Sequence, residues 1–243
     1  MEQLLENQYI CTNCGYNMIG FHPDNCPFCG ASRDYFITAK EGTKKFRVKG
    51  TEVNDLVTQL LSVPSLGYEH AAYRIETNKS IIWIDCPSSY NDILKKPPNK
   101  IIFTHPHFLG ASNLYREKFS AETWIHQKDA KNPLAEKFVF DNKFDEDFTE
   151  AGIEAFHVNG HTPGFTIYIF KDTLFICDYV FTGKSAFKFN PFGPTNKTHQ
   201  QAFKIKQIIE KRELAFVCGQ NYFMEYDIWK RRFDELITRI VNS

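Results

Sequence analysis

Two sets of residues in this chain have the types and spacing to hold metal ions. Cys11, Cys14, Cys26 and Cys29 fall within nineteen residues as C-x2-C-x11-C-x2-C. Two residues between cysteines let both thiolates reach one ion while nearby backbone N–H groups face the sulfurs. Two such knuckles make a four-sulfur cage, which accepts iron or zinc. The remaining cysteines, Cys86, Cys177 and Cys218, stand alone in apolar surroundings. An odd total of seven, paired at C-x-x-C spacing, argues for a metal site rather than a disulfide framework. The second set is Thr104-His105-Pro106-His107, Gly160-His161-Thr162-Pro163-Gly164, Cys177-Asp178 and Cys218-Gly219-Gln220. A lone histidine is more often structural or superficial than a ligand. Several candidates, each just past an apolar stretch that reads as a strand, point to a shared site on strand-end loops.

The elements that must position these groups are legible in the periodicity. Residues 70–76 and 80–85 read as a hairpin, and 101–103, 123–125, 153–158, 165–170, 173–177 and 214–217 as further strands. Residues 110–119, 198–211 and 225–241 carry helical periodicity, and 89–96 reads as a short helix stopped by Pro97-Pro98. Strands alternating with helices give a layered α/β domain. The polar stretch around Gly42 marks a boundary, so the expected organisation is a self-contained cysteine module at 1–38, a linker at 39–45 and a larger domain at 46–243. Composition bounds the rest. The 243 residues are 42% hydrophobic and 24% charged, as in globular proteins, and 29 basic side chains balance 29 acidic ones. That balance argues against a broad nucleic-acid footprint. No apolar run approaches the ~20 residues needed to span a bilayer. The first ten residues carry two acids and no base, unlike a secretory leader, so a cytoplasmic protein is expected.

The flanks of both sets resemble known families. YICTNCGY (9–16) and CPFCGASRDYF (26–36) resemble the rubredoxin-like modules of rubrerythrin-type proteins, with Gly15, Tyr16, Pro27 and Gly30 matching beside the cysteines. That resemblance, over residues 7–37, implies one iron, with zinc as the alternative. From about residue 46 to 240 the chain resembles the metallo-β-lactamase superfamily: T-H-x-H after one strand, GHTPG after another, then an aspartate ending a later strand. The implied fold is an αββα sandwich with its ligands at one edge. The family's first ion would fall to His105, His107, His161 and Asp178. The Asp and His that would help hold a second ion are Leu109 and Gly110 here, and the final His is Gln220. At most one metal, Fe or Zn, is therefore expected at the histidine site.

Family hydrolases attack a polarised carbonyl or phosphoryl group with metal-activated water, assisted by a carboxylate. With that carboxylate replaced by Leu109 and a rubredoxin-like module alongside, an oxidoreductase with an electron-relaying iron centre is the expected function. The alternatives are a single-metal hydrolase of a small ester or thioester, and a non-catalytic, redox-responsive binding protein. Expected partners are a small-molecule substrate or a redox protein, with neither nucleic acid nor membrane; a homo-oligomer is compatible. The loop 187–194, just past Asp178, is expected to wall the mouth of the site.

Overall fold

The computed structural model describes residues 1–183 and 186–241. The chain divides into two units, Met1–Phe144 and Asp145–Ser243.

The first unit begins with α1 (Glu2–Asn7), β1 (Gln8–Cys11), β2 (Asn17–Ile19), β3 (Phe36–Thr38) and α2 (Ala39–Lys45). The three strands form a small antiparallel sheet in the order β2-β1-β3. Residues 39–45, expected as a linker, are helical. Thr38 caps the Glu41 N–H while the Glu41 carboxylate accepts from the Thr38 N–H, so both ends of the first turn are satisfied. There follow β4 (Arg47–Asn54), β5 (Val57–Val63), β6 (Ala72–Glu76), β7 (Ile81–Ile84), β8 (Lys100–Ile102), α3 (Ser112–Phe119), β9 (Glu122–His126) and β10 (Asn142–Phe144). They build a seven-stranded sheet in the order β10-β9-β8-β7-β6-β5-β4. Residues 89–96 do not form the expected helix. The Tyr115 hydroxyl donates to Ser89 O and accepts from Asn91 N, taking the backbone groups a helix would need.

Packing in this unit does not stop at residue 38. Ile10 and Ala39 belong to the same apolar cluster as Leu60, Trp83, Phe103 and Tyr115. Asn17 donates to Ser88 O, and the Tyr16 hydroxyl to Leu134 O. At Gly67 (φ +51°) a Cβ would stand 1.7 Å from Asn13 O, so only glycine lets that loop meet the first knuckle. Three short strands bury little surface by themselves, and the module's inner face packs into the neighbouring core.

The second unit contains β11 (Phe148–Glu150), β12 (Ile153–His157), β13 (Thr166–Phe170), β14 (Thr173–Cys177), β15 (Val180–Thr182), β16 (Phe187–Phe189), α4 (Thr195–Ile209), β17 (Phe216–Gly219), β18 (Phe223–Glu225) and α5 (Tyr226–Val241). Six strands form one sheet in the order β11-β12-β13-β14-β17-β18, with β15 and β16 a separate hairpin. Every residue of β13 and β14 is buried, which is why TIYIF and TLFIC read as continuous apolar runs rather than alternating ones. The helices cover this sheet with apolar stripes: Ala202, Ile205 and Ile209 from α4, Trp229, Phe233 and Leu236 from α5. No helix among the described residues is long and apolar enough to cross a membrane.

Candidate metal centres

The two knuckles bring Cys11, Cys14, Cys26 and Cys29 together, with all four Sγ atoms within 4.8 Å of one another. Cys11 Sγ and Cys29 Sγ are 3.8 Å apart, and Cys14 Sγ and Cys26 Sγ 3.7 Å. These spacings are too long for disulfides. Sulfurs about 2.3 Å from a common ion at tetrahedral angles stand about 3.8 Å apart, so the cage already has the dimensions of a four-sulfur metal site. Donors surround the sulfurs. The Tyr16 backbone N–H points at Cys14 Sγ and Asn13 Nδ2 at Cys29 Sγ, each at 3.4 Å. With no dication, four clustered thiols, three of them buried, cannot all ionise. Hydrogen bonds from Cys11 and Cys14 favour a thiolate at Cys26, while the same contacts push Cys14 far above its ordinary value. A dication removes that conflict by holding all four as thiolates.

The histidines come from both units. In the first, the loop after β8 carries His105, which is buried, and His107, half-buried, their rings crossing at 4.8 Å. His105 is held by a relay. Asp85, at the end of β7, accepts from the Thr104 N–H at 2.8 Å and from Thr104 Oγ1 at 2.8 and 3.0 Å. The threonine proton is committed to that carboxylate, so Thr104 Oγ1 accepts from His105 Nδ1, 2.9 Å away. This assigns the ring proton to Nδ1 and makes Nε2 the lone-pair nitrogen, the form in which imidazole ligates a metal. His70, not singled out in the sequence, stacks on Phe108 at 3.6 Å and lies 5.7 Å from His105.

In the second unit His161, on the turn after β12, donates from Nδ1 to the Phe192 carbonyl, which again leaves Nε2 with the lone pair. That nitrogen is 3.5 Å from Asp178 Oδ2. Two acceptor atoms facing each other at this distance need a cation or proton between them. Metal–nitrogen and metal–oxygen bonds of about 2.1 Å at a tetrahedral angle would separate them by about 3.4 Å, so the pair fits a shared ion. Burial raises the Asp178 carboxyl above its ordinary range, opposed by His161 and by the hydrogen bond from Asn190 Nδ2 at 2.9 Å. Cys177 just before it has φ +47°, an uncommon backbone conformation held where the strand ends. The loop expected at the mouth of the site thus supplies two supporting groups, Asn190 and Phe192 O. Composition could not reveal them, because one acts through its backbone and the other lies twelve residues from Asp178.

Other histidines have local duties. His126 Nδ1 accepts from the Lys128 N–H, and His157 Nε2 meets Pro163 O at 2.9 Å. Cys86 and Cys218 are buried, and burial pushes both thiols well up, so they stay protonated. Leu109, where the resemblance would require an aspartate, lies in the apolar core of the first unit.

The family described as "Rubrerythrin, rubredoxin-like domain" matches residues 9–37. No curated protein matches the chain in sequence. Solved structures do match in fold. A metallo-β-lactamase from Pontibacter korlensis superposes with a TM-score of 0.64 at 14% identity, covering 81% of this chain and 100% of that one. One from Hirschia baltica gives 0.56 at 15% identity, covering 77% and 96%. An archaeal superfamily protein from Sulfolobus tokodaii gives 0.53 at 14% identity, covering 71% and 80%. The chain therefore has the metallo-β-lactamase fold, an α/β sandwich, joined to an N-terminal rubredoxin-like four-cysteine module. The expectation of an oxidoreductase is overturned by these comparisons, since the solved structures that share the fold are metallo-β-lactamases, which are hydrolases, or a member of their superfamily. A four-sulfur cage can be structural and need not carry electrons, so a rubredoxin-like module does not by itself imply redox chemistry.

Proposed function

We propose that this chain is a metal-dependent hydrolase of a small ester- or thioester-type substrate, with His105, His107, His161 and Asp178 as ligands of one zinc or iron ion. The observation that supports this most is the preparation of the donor set. Thr104 and the Phe192 carbonyl each fix the tautomer that presents Nε2, and Asn190 orients the Asp178 carboxylate. When bound, a divalent ion at these groups supplies Lewis acidity and lowers the pKa of water. The chain's own residues restrict the site to one ion. Leu109 is apolar and buried, and Gly110 offers no side chain. No carboxylate at position 109 is left to handle the proton, so substrates with good leaving groups, thioesters and activated esters, are favoured over amides.

For the four-cysteine cage we propose a single structural iron, with zinc as the alternative; visible absorption of the purified protein distinguishes them. The function is tested by metal analysis together with a panel of thioesters, esters and lactams, on wild type and on His161→Ala. One ion beyond the cysteine-held one, and thioester hydrolysis reduced by about 10²-fold or more in His161→Ala, is the expected result. Absence of both the ion and hydrolysis would sink the proposal in favour of a binding protein.

A further inference from the structure

Phe28 occupies the tip of the second knuckle, between Cys26 and Cys29. The cysteines that flank the Pro27-Phe28 pair both enter the four-sulfur cluster, so the cage fixes where the residue stands. Its ring leaves the module and packs on the histidine loop of the same unit, 5.6 Å from His107 and 4.9 Å from Phe108. Phe108 stacks on His70, His70 lies against His105, and His105 crosses His107. Five rings thus close a circuit, and Phe28 is the one member supplied by the cysteine module. On the opposite side of the circuit His105 is held by Thr104. The half-buried His107 receives Phe28 against its ring.

Phe28 packs against a module cluster whose buried members are Cys11, Cys14, Tyr16, Cys26 and Phe36, so three of the five are cysteines of the cage. The first knuckle is anchored to the rest of the unit by Asn17 and Tyr16. The second knuckle is tied to the first through the sulfurs and through Asn13 Nδ2 on Cys29. Opening the cage therefore loosens the second knuckle and the ring it carries.

We infer that Phe28 is a positioning residue for His107, and that the ion held by the four cysteines governs metal affinity at the histidine site through that ring. The inference rests on the reading of His105 and His107 as ligands. It makes the cysteine ion a structural regulator: loss of that ion loosens His107 without touching any other proposed ligand.

The test titrates Co(II) into full-length protein whose cysteine site is already filled with zinc, following the visible bands of cobalt at the histidine site. Wild type, Phe28→Ala, Phe28→Tyr, Cys29→Ser and the Phe28→Ala/Cys29→Ser double variant are compared. Phe28→Ala should bind cobalt about tenfold more weakly, a typical loss when a group supporting a ligand is removed. Phe28→Tyr should restore wild-type affinity. Cys29→Ser should lose about as much as Phe28→Ala, and the double variant no more than either, because both break one connection. An independent arm reads the His107 imidazole proton resonances by NMR with the histidine site free of metal. They should shift in Phe28→Ala and Cys29→Ser alike, while those of His126 stay fixed. Equal cobalt affinities in all variants with unmoved His107 resonances overturn the inference. Additive losses in the double variant also overturn it, since the two residues would then act separately. Failure of wild type to bind cobalt would instead refute the hydrolase reading, and the NMR arm would decide the positioning role by itself.

Discussion

Asn17→Ala tests whether the cysteine module and the first sheet are one cooperative structure. Asn17 is 1% exposed. Its Nδ2 donates to Gly15 O and to Ser88 O, both at 3.0 Å, and its Oδ1 accepts from the buried Gln8 Nε2 at 2.8 Å. Alanine removes all three bonds and leaves a donor and two carbonyls stranded. Each stranded group costs about 1–3 kcal/mol, with carbonyls at the lower end. The sum is about 3–5 kcal/mol, falling to about 2 if a water fills the vacated space and rebinds the polar atoms. Against a total stability of about 5–15 kcal/mol the loss is large. Denaturant unfolding would be followed by tryptophan fluorescence and by absorption of iron in the cysteine cage. Because Ile10 and Ala39 share a core with Trp83, both signals should change together, at a midpoint lowered in the variant. Release of the metal well before the fluorescence transition, or a destabilisation below about 1 kcal/mol, would refute the reasoning.

Two further outcomes follow from buried groups. Burial raises the Glu69 carboxyl above its ordinary 4.5, opposed by hydrogen bonds from Ser62 and Ser88. The folded state then holds this proton where the unfolded chain has lost it, so the contribution is fully present below about pH 4.5 and disappears as pH rises through the folded value. Stability measured from pH 4 to 7 should fall less steeply in Glu69→Gln, and an unchanged slope would disprove the assignment. At Gly110 (φ +55°) a Cβ would meet Cys86 O at 2.3 Å and Pro87 O at 2.4 Å. Leu109→Asp/Gly110→His should therefore fail to gain a second ion by metal analysis and lose at least about 4 kcal/mol in denaturant melts, from backbone strain and a buried carboxylate.

The sequence carries this protein's candidate ligands more openly than their supports. The doubled C-x-x-C spacing is local, and its geometry follows from nineteen contiguous residues. GHTPG and T-H-x-H are equally compact, and the buried strands β13 and β14 announce themselves as apolar runs. The β4–β5 hairpin leaves little mark in the sequence because RVKGTEVN is mostly exposed and shows no clean alternation; its strand state comes from pairing along β5. Residues 89–96 failed as a helix because Tyr115, more than twenty residues away, captures their backbone. Asp85, Thr104 and Asn190 act through distances that only the fold creates. Phe28 in C-P-F-C reads as a filler between ligands until its ring is seen against His107. Function was the hardest to read, since a four-sulfur cage has the same spacing whether it carries electrons or holds a shape.

The shared core also sets an order of events during synthesis. The cysteines span residues 11–29, so their cage can close on an ion as soon as that short segment clears the ribosome. Ile10 and Ala39, by contrast, find their packing partners in Trp83, Phe103 and Tyr115. At about 5–20 residues translated per second, those partners arrive on the order of ten seconds after the knuckles. During that interval the cysteine segment lacks the partners that complete its inner face, so its fold waits on residues translated well after its own.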